Sequence, residues 1–276
     1  MVKLSNEHLI IGATGKTGVR VEQKLREMGY SPRCASRSSH VYFNWDEPVT
    51  WAKVLTGIKQ VYITYYPDLA VPKAPEDISQ FIALAKIKGV QRVVLLSGRG
   101  EPAAKLSENI VKQSGISWTI VRAAWFNQNF SEGLFRQYIQ QSKIALPVGE
   151  TKEPFVDIDD IAEIVVAALT TDKHNGKLYE VTGPELLSFA QIAERFSQRM
   201  NRVITFEQVS LSAYQNNLAR SGVEKNTIDA LSYLFTEVLD GRNESIKNGI
   251  TEALGRQPKN FSQFIIDNAA YFLKEG

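Results

Sequence analysis

The chain has 276 residues, 43% of them hydrophobic and 22% charged, in the ordinary range for a water-soluble globular protein. Its 32 basic and 30 acidic side chains leave a formal net charge of +2 with no basic cluster, which argues against nucleic acid as a partner. A single cysteine, Cys34, rules out an intrachain disulfide, and no apolar run reaches the roughly 20 residues of a membrane helix. The N-terminal residues lack the apolar core of a signal peptide, so a reducing, cytoplasmic setting is expected.

In chain order, Leu9-Ile10-Ile11 is a short apolar run closed by glycine and reads as a buried strand. Val21, Leu25 and Met28 then recur at helical spacing, with Gly29 where a helix C-cap belongs. Pro32 to Ser36 offers a second strand, and the β-branched and aromatic run Val61 to Tyr65 a further one. The three prolines between Pro67 and Pro75 predict a loop. From Glu76 on, Ile78, Phe81, Ile82 and Ala85 form a helical stripe closed by Gly89. Val93 to Leu96 is a strand, 103–114 a helix and Trp118 to Val121 another strand. This alternation indicates a parallel sheet covered on both faces.

Further on, Ile158 to Leu169 reads as a helix, Leu178 to Val181 as a strand and Phe189 to Met200 as a helix. Beyond Met200 the chain is mostly helical and polar until Phe261, Phe264, Ile265, Ala269 and Phe272 mark one apolar helical face. No repeat, low-complexity tract or flexible linker divides the chain.

Directly after the first strand comes Gly12-Ala13-Thr14-Gly15-Lys16-Thr17-Gly18. In such a loop the first glycine permits a tight turn and the second lets backbone N–H groups approach a pyrophosphate. The third lets helix and strand pack closely. A helix N-terminus adds unpaired N–H groups and partial positive charge. The strand before the loop and the helix after it lift the motif above a bare glycine triplet, so it predicts a dinucleotide site. Its candidate contacts are Gly12, Thr14, Gly15, Lys16, Thr17 and Gly18. About 20 residues on, where NAD-binding versions carry an acid, stands Ser36-Arg37-Ser38. Arg37 can set a charged fork against a 2′-phosphate, and Ser36 or Ser38 can add hydroxyls, which selects NADP(H). The competing reading of Arg37 is a solvated loop side chain.

These residues bring a specific resemblance into view. The chain resembles the NmrA-like, atypical branch of the short-chain dehydrogenase/reductases, and is similar to bacterial relatives of the ergot-alkaloid-type reductases. The matching segments include Gly12–Gly18, Ala35-Ser36-Arg37, 44–51, 89–97, 114–130, 154–169 and 179–193. The resemblance implies an α/β fold: a Rossmann-type, doubly wound parallel sheet with a small, mostly helical C-terminal substrate lobe. We expect one unit over 1–276, with a Rossmann core of 1–122 plus about 150–182 and a substrate lobe of 123–149 and 183–276. The resemblance also implies an NADP(H) preference. It places Asp46 on the adenine side, and Thr64, Tyr65 and Tyr66 along the ribose and nicotinamide. A tyrosine-rich loop packing on its own sheet is the alternative for the latter.

Typical members of that superfamily carry Ser and Tyr-x-x-x-Lys, where Tyr gives a proton to a carbonyl and Lys lowers its pKa. Ser97 matches the serine, but the Tyr position holds Gly100 and the Lys position Ala104, with Lys105 one step off. In the family the following segment enters the substrate cleft. Trp125 and Phe126 could stack a flat substrate, and Asn127 or Asn129 could bond its polar edge. Core packing is the alternative for the aromatic pair. Asp157, Asp159 and Asp160 read as the start of a helix rather than a metal site, and His8, His40 and His174 are too scattered to form a ligand set. The expected function is therefore NADP(H)-dependent hydride transfer to a small, flat, unsaturated molecule such as an iminium, quinone or enone. The alternative is a non-catalytic NADP(H) sensor. The partner is a small molecule, with no nucleic acid or membrane.

Overall fold

The computed structural model describes residues 6–133 and 135–272. It divides into two compact units. The first takes in the chain up to Ala123 with Ile158–Val181 and Asn248–Gln257; the second takes in Ala124–Asp157, Thr182–Lys247 and the chain from Pro258 on. Residues 150–157, expected in the Rossmann core, thus fall in the second unit, and 248–257, expected in the lobe, fall in the first. The latter segment carries Gly249, where an added Cβ would stand 2.2 Å from the Glu180 carbonyl oxygen, so it lies against the last strand of the first unit's sheet.

The strands, in chain order, are β1 (His8–Ile11), β2 (Arg33–Ser36), β3 (Val41–Tyr42), β4 (Gln60–Ile63), β5 (Arg92–Gly98), β6 (Ser117–Ala123), β7 (Lys143–Leu146), β8 (Lys177–Val181) and β9 (Thr205–Gln208). In the first unit seven of them form one all-parallel sheet, ordered β3-β2-β1-β4-β5-β6-β8. This is the expected Rossmann-type arrangement, with its order reversing between β1 and β4. Consecutive strand residues serve opposite faces. Leu9, Ile11, Val61, Ile63, Val93 and Leu95 enter one core, whereas Tyr62 reaches Thr17 on the other side with an O–H···O bond of 2.9 Å. Both faces are apolar because both are covered, which explains the continuous hydrophobic runs.

The helices α1 (Lys16–Glu27), α2 (Trp51–Val54), α3 (Ala74–Ile87) and α4 (Pro102–Gln113) precede the long helix Ile158–Thr170. That helix is tied to α1 by ion pairs of Arg20 with Asp159 and Lys24 with Glu163, at 2.9 and 3.3 Å. The stripe of α3, Ile78, Phe81, Ile82 and Ala85, is buried as expected. Two local expectations need correction. Met28 follows α1 as its C-cap and is half exposed, so it closes the helix rather than adding to the core. Pro75 belongs to the first turn of α3 and not to the loop, because a first-turn residue needs no N–H donor.

The second unit holds an aromatic core that includes Phe130, Phe155, Phe189, Phe196, Phe261, Phe264 and Phe272. Phe189–Met200 forms the expected helix, fixed at its start by a capping box between Ser188 and Gln191. A parallel pair went unforeseen: β7, before the long helix Ile158–Thr170, with β9 in the polar stretch after Met200. The closing apolar face also breaks: the helix Phe261–Asp267 ends, Ala269 is exposed, and a short 3-10 turn returns Phe272 to the core. No helix among the described residues is long and apolar enough to cross a membrane.

Candidate cofactor site

At the carboxyl edge of the first unit's sheet is a cavity of about 310 Å³. It is lined by Gly12, Thr14, Gly15, Ser36, Arg37, Ser38, Asp46, Thr64, Tyr65 and Tyr66, all expected from sequence, and by Phe43, Asn44 and Trp45, which were not. Local backbone geometry builds its floor. Gly12 has φ 76°, and an added Cβ would stand 2.0 Å from Thr64 Oγ1. That hydroxyl donates to the Ile11 carbonyl at 3.0 Å and so ties the end of β4 to the glycine loop. At Gly18 a Cβ would stand 2.3 Å from the Gly12 carbonyl oxygen, so here helix and strand pack too closely for any side chain. Gly15 is the N-cap of α1, with no side-chain cap and no acid in the first turn. The start of α1 is therefore suited to an anion.

Thr17 and Gly18 are buried and do not line the cavity, and Lys16 lies beside it on α1. Thr17 and Gly18 thus serve packing: Thr17 accepts the Tyr62 hydroxyl, and Gly18 meets the loop.

The end of β2 carries hydroxyls and no acid. Ser36 Oγ accepts the backbone N–H groups of Ser38 and Ser39 at 3.2 and 3.0 Å, and Thr14 Oγ1 lies 3.1 Å from it. Ser38 Oγ in turn donates to Thr14 Oγ1 at 3.2 Å. Arg37 is exposed, its guanidinium 3.9 Å from the centre of the Tyr66 ring. Such stacking holds the fork flat while leaving its in-plane donors outward.

The opposite wall explains the segment 44–51. Trp45 and Trp51 pack with Phe43 and Phe81 at centroid distances of 5.0 to 6.4 Å. Their indole N–H groups donate to the carbonyls of Thr64 and Asn44 at 3.1 and 3.0 Å. This anchorage leaves Asp46 exposed at the rim, paired with Lys73 at 3.1 Å. Lys73, absent from the sequence expectations, has no local signal because the pairing spans 27 residues. Tyr65 donates to the buried carboxylate of Asp77 at 2.7 Å, and burial together with that bond pushes its phenol well above the usual range.

Ser97 lies elsewhere along the edge, near the end of β5, and is buried. Its hydroxyl donates to Glu108 on α4 at 2.8 Å. Glu108 also takes Arg122 Nε and Nη2 at 2.8 and 2.5 Å, and Arg122 Nη1 reaches Glu180 at 2.7 Å. Ser97, Arg122 and Glu180 are register partners across β5, β6 and β8, so the sheet itself lines them up. Burial pushes the Glu108 carboxyl up, but the bonds from Arg122 and Ser97 outweigh it and hold it below the usual range. Gly100, with φ 78°, lies before α4, and Ala104 is fully buried within it. Neither position offers a titratable side chain, and Lys105 is exposed.

The residues expected to meet substrate belong to the second unit. Trp125 stacks on Phe135 at 6.1 Å and contacts Phe235 at 6.0 Å, so it is partly core. Phe126 bridges to Val156 through its backbone and is half-buried. Asn127 is fully buried with neither amide atom hydrogen-bonded, and Asn129 is half-buried. The aspartates at 157–160 face cations of the chain: Asp159 faces Arg20, Asp160 faces Arg256, and Asp157 lies 3.9 Å from Lys259. Among the described residues no three His, Cys, Asp or Glu converge.

Comparison with known proteins adds four findings. Residues 104–265 match the NmrA-like family. The chain is 31% identical, over 97% of its length and 96% of the relative's, to the uncharacterized oxidoreductase YesF of Bacillus subtilis. It is 28% identical, over 96% of its length and 98% of the relative's, to agroclavine dehydrogenase of Claviceps fusiformis. Its fold is that of the Citrobacter sp. triphenylmethane reductase solved with NADP(H): TM-score 0.80 at 16% identity, covering 95% of this chain and 99% of that one.

Proposed function

The chain belongs to the NmrA-like family, and on that premise we propose that it is an NADP(H)-dependent oxidoreductase delivering hydride to a small, flat, unsaturated acceptor of the iminium, quinone or enone class. The observation that carries this reading is the pairing of an acid-free β2 end, Ser36-Arg37-Ser38, with a glycine loop whose Gly12 and Gly18 leave no room for a side chain. The relatives bearing oxidoreductase and dehydrogenase names, and the fold shared with an NADP(H)-bound reductase, support it.

The residues fit the cofactor. The start of α1 would face the pyrophosphate, and Arg37 with the Ser36, Ser38 and Thr14 hydroxyls would hold the 2′-phosphate. Asp46 would meet the adenine side, and Thr64, Tyr65 and Tyr66 would border the ribose and nicotinamide. When bound, NADPH supplies the hydride. Ser97 acts by position: its proton is directed into Glu108, so it stiffens the end of β5 rather than protonating an acceptor. Trp125, Phe126, Asn127 and Asn129 remain the proposed substrate contacts.

Titration calorimetry with NADPH and NADH tests the cofactor half, and multiple-turnover NADPH oxidation over a panel of cationic dyes, iminium compounds, quinones and enones tests the chemistry. NADPH should bind on the order of 10- to 100-fold tighter, the equivalent of one charge-assisted contact of roughly 1.5–3 kcal/mol. Equal affinities would overturn the cofactor assignment. A cofactor sensor is the second reading, favoured by the closed Ser97–Glu108–Arg122 row and the unreactive Gly100 and Ala104. Tight NADPH binding with no turnover of any acceptor would establish it.

A further inference from the structure

We propose that the buried carboxyl of Glu101, facing Asp68, delivers a proton to the reduced acceptor, in place of the missing tyrosine. The inference rests on the reductase reading.

Glu101 stands at the N-cap of α4 yet does not cap it. Its side chain instead folds back over Gly98, where an added Cβ would lie 2.8 Å from Glu101 Oε1, so only glycine leaves the carboxyl this space. Glu101 is 7% exposed, and its Oε2 is buried with no hydrogen-bond partner of ordinary kind. What faces it is Asp68, a second carboxyl. Two carboxylates offer only acceptors, so any bond between them requires a proton. Burial first, then the charge and hydrogen bond of Asp68, push the Glu101 carboxyl up to about 9. Asp68 is exposed and is held by the Ala70 backbone N–H, which donates to Oδ1 at 2.8 Å. One member of the pair is thus buried and protonated, and the other opens to water.

Topology places the pair at the reactive end of the site. The residues proposed for the adenine ribose lie at the end of β2 and the glycine loop follows β1. Continuing across the sheet order, the next carboxyl ends are those of β4 and β5, whose residues Ile63 and Leu95 are register partners. Asp68 comes just after β4, on the segment with Tyr65 and Tyr66, and Glu101 just after β5. A dinucleotide laid out from Arg37 along this edge would bring its nicotinamide toward them.

For a quinone the balance is complete. The quinone takes the hydride with both its electrons, oxidising NADPH to NADP⁺ and becoming a hydroquinone monoanion. The O–H bond of the Glu101 carboxyl breaks, and an O–H bond forms on the phenolate oxygen. The Glu101 carboxylate left beside Asp68 is disfavoured by burial and like charge, and it takes up one proton from bulk solvent, the proton that the overall reduction consumes. A cationic triphenylmethane dye differs, because hydride addition neutralises its carbon centre and needs no proton.

The test compares the two acceptors. Glu101→Gln and, separately, Asp68→Asn should lower kcat/KM for a benzoquinone at least about 100-fold, as for loss of a general acid. With the cationic dye the loss should stay under about 5-fold. Infrared difference spectra of cofactor-free protein at pH 7 provide a readout apart from turnover: the carbonyl stretch of a protonated carboxylic acid should appear in wild type and vanish in Glu101→Gln. Equal losses with both acceptors, no loss with either, or no such band in wild type would overturn the inference and leave the reductase reading intact. Reduction of the dye but not the quinone by the wild type would overturn this inference alone, whereas reduction of neither would overturn the reductase reading and this inference with it.

Discussion

The carboxyl edge of the sheet treats charge in opposite ways at its two ends. At β5, β6 and β8 the row Ser97, Glu108, Arg122, Glu180 is closed, each charge answered within the protein. At β1, β2 and β4 charged groups are sparse among many hydroxyls, and Arg37 lies exposed over a tyrosine ring. Density of charged residues therefore misleads as a guide to a binding site. The crowded end has spent its hydrogen bonds on itself, whereas the sparse end still has donors to offer a ligand.

The largest effect should come from opening the closed end. Glu108→Gln leaves Arg122 short of its main partner in a buried setting and should destabilise the protein by about 3 kcal/mol, measured by urea unfolding at pH 7. NADPH affinity of the folded variant should not change. A loss of affinity matching the loss of stability would erase the distinction between the two ends. The same carboxyl sets a pH dependence. Its folded value lies below the unfolded one, so its contribution is present above about pH 4.3 and is lost as pH falls through the folded value. Urea midpoints of wild type and Glu108→Gln should therefore converge in acid.

Next in size is the open end. Arg37→Ala should weaken NADPH by about 10- to 100-fold and change NADH affinity and urea midpoint little, as calorimetry and unfolding would show. An unchanged NADPH affinity would mean that the end of β2 has been misassigned. Lys16, on the adjoining helix turn, can keep part of the preference for NADPH. Smaller again is Ser97→Ala, which removes one hydrogen bond and should cost about 1 kcal/mol of stability. Its turnover should fall by less than about 100-fold; complete inactivation with folding intact would move Ser97 from the scaffold to the chemistry.

How much of this was legible in the sequence varied with distance along the chain. Gly12 to Gly18 and Arg37 declare themselves because a dinucleotide loop is a local device, with its strand, turn and helix in consecutive residues. Phe189–Met200 was readable end to end because its apolar stripe and its Ser188–Gln191 box agree. β9 was not: its residues Thr205–Gln208 are exposed except for a half-buried Phe206, so no alternation marks it. Trp45 and Trp51 were visible as a recurring segment, but their purpose needed Phe81, 30 or more residues away, to be seen. Glu101 was silent for the same reason. Its one signal was a pair of preceding glycines, Gly98 and Gly100, and its meaning depends on Asp68 across the strand edge.

Trp45 would give the proposed cofactor cavity an optical property of its own. Its indole forms part of the wall and is fastened to the backbone of Thr64, whose hydroxyl donates to the Ile11 carbonyl beside the glycine loop. A reduced nicotinamide absorbs near-ultraviolet light in the region where indoles emit, so excitation of Trp45 would pass to NADPH bound beside it. Tryptophan emission would dim as the dinucleotide's own blue emission rises. NADP⁺ lacks that absorption band and would leave this transfer dark, so the protein's fluorescence would report which redox form fills the cavity.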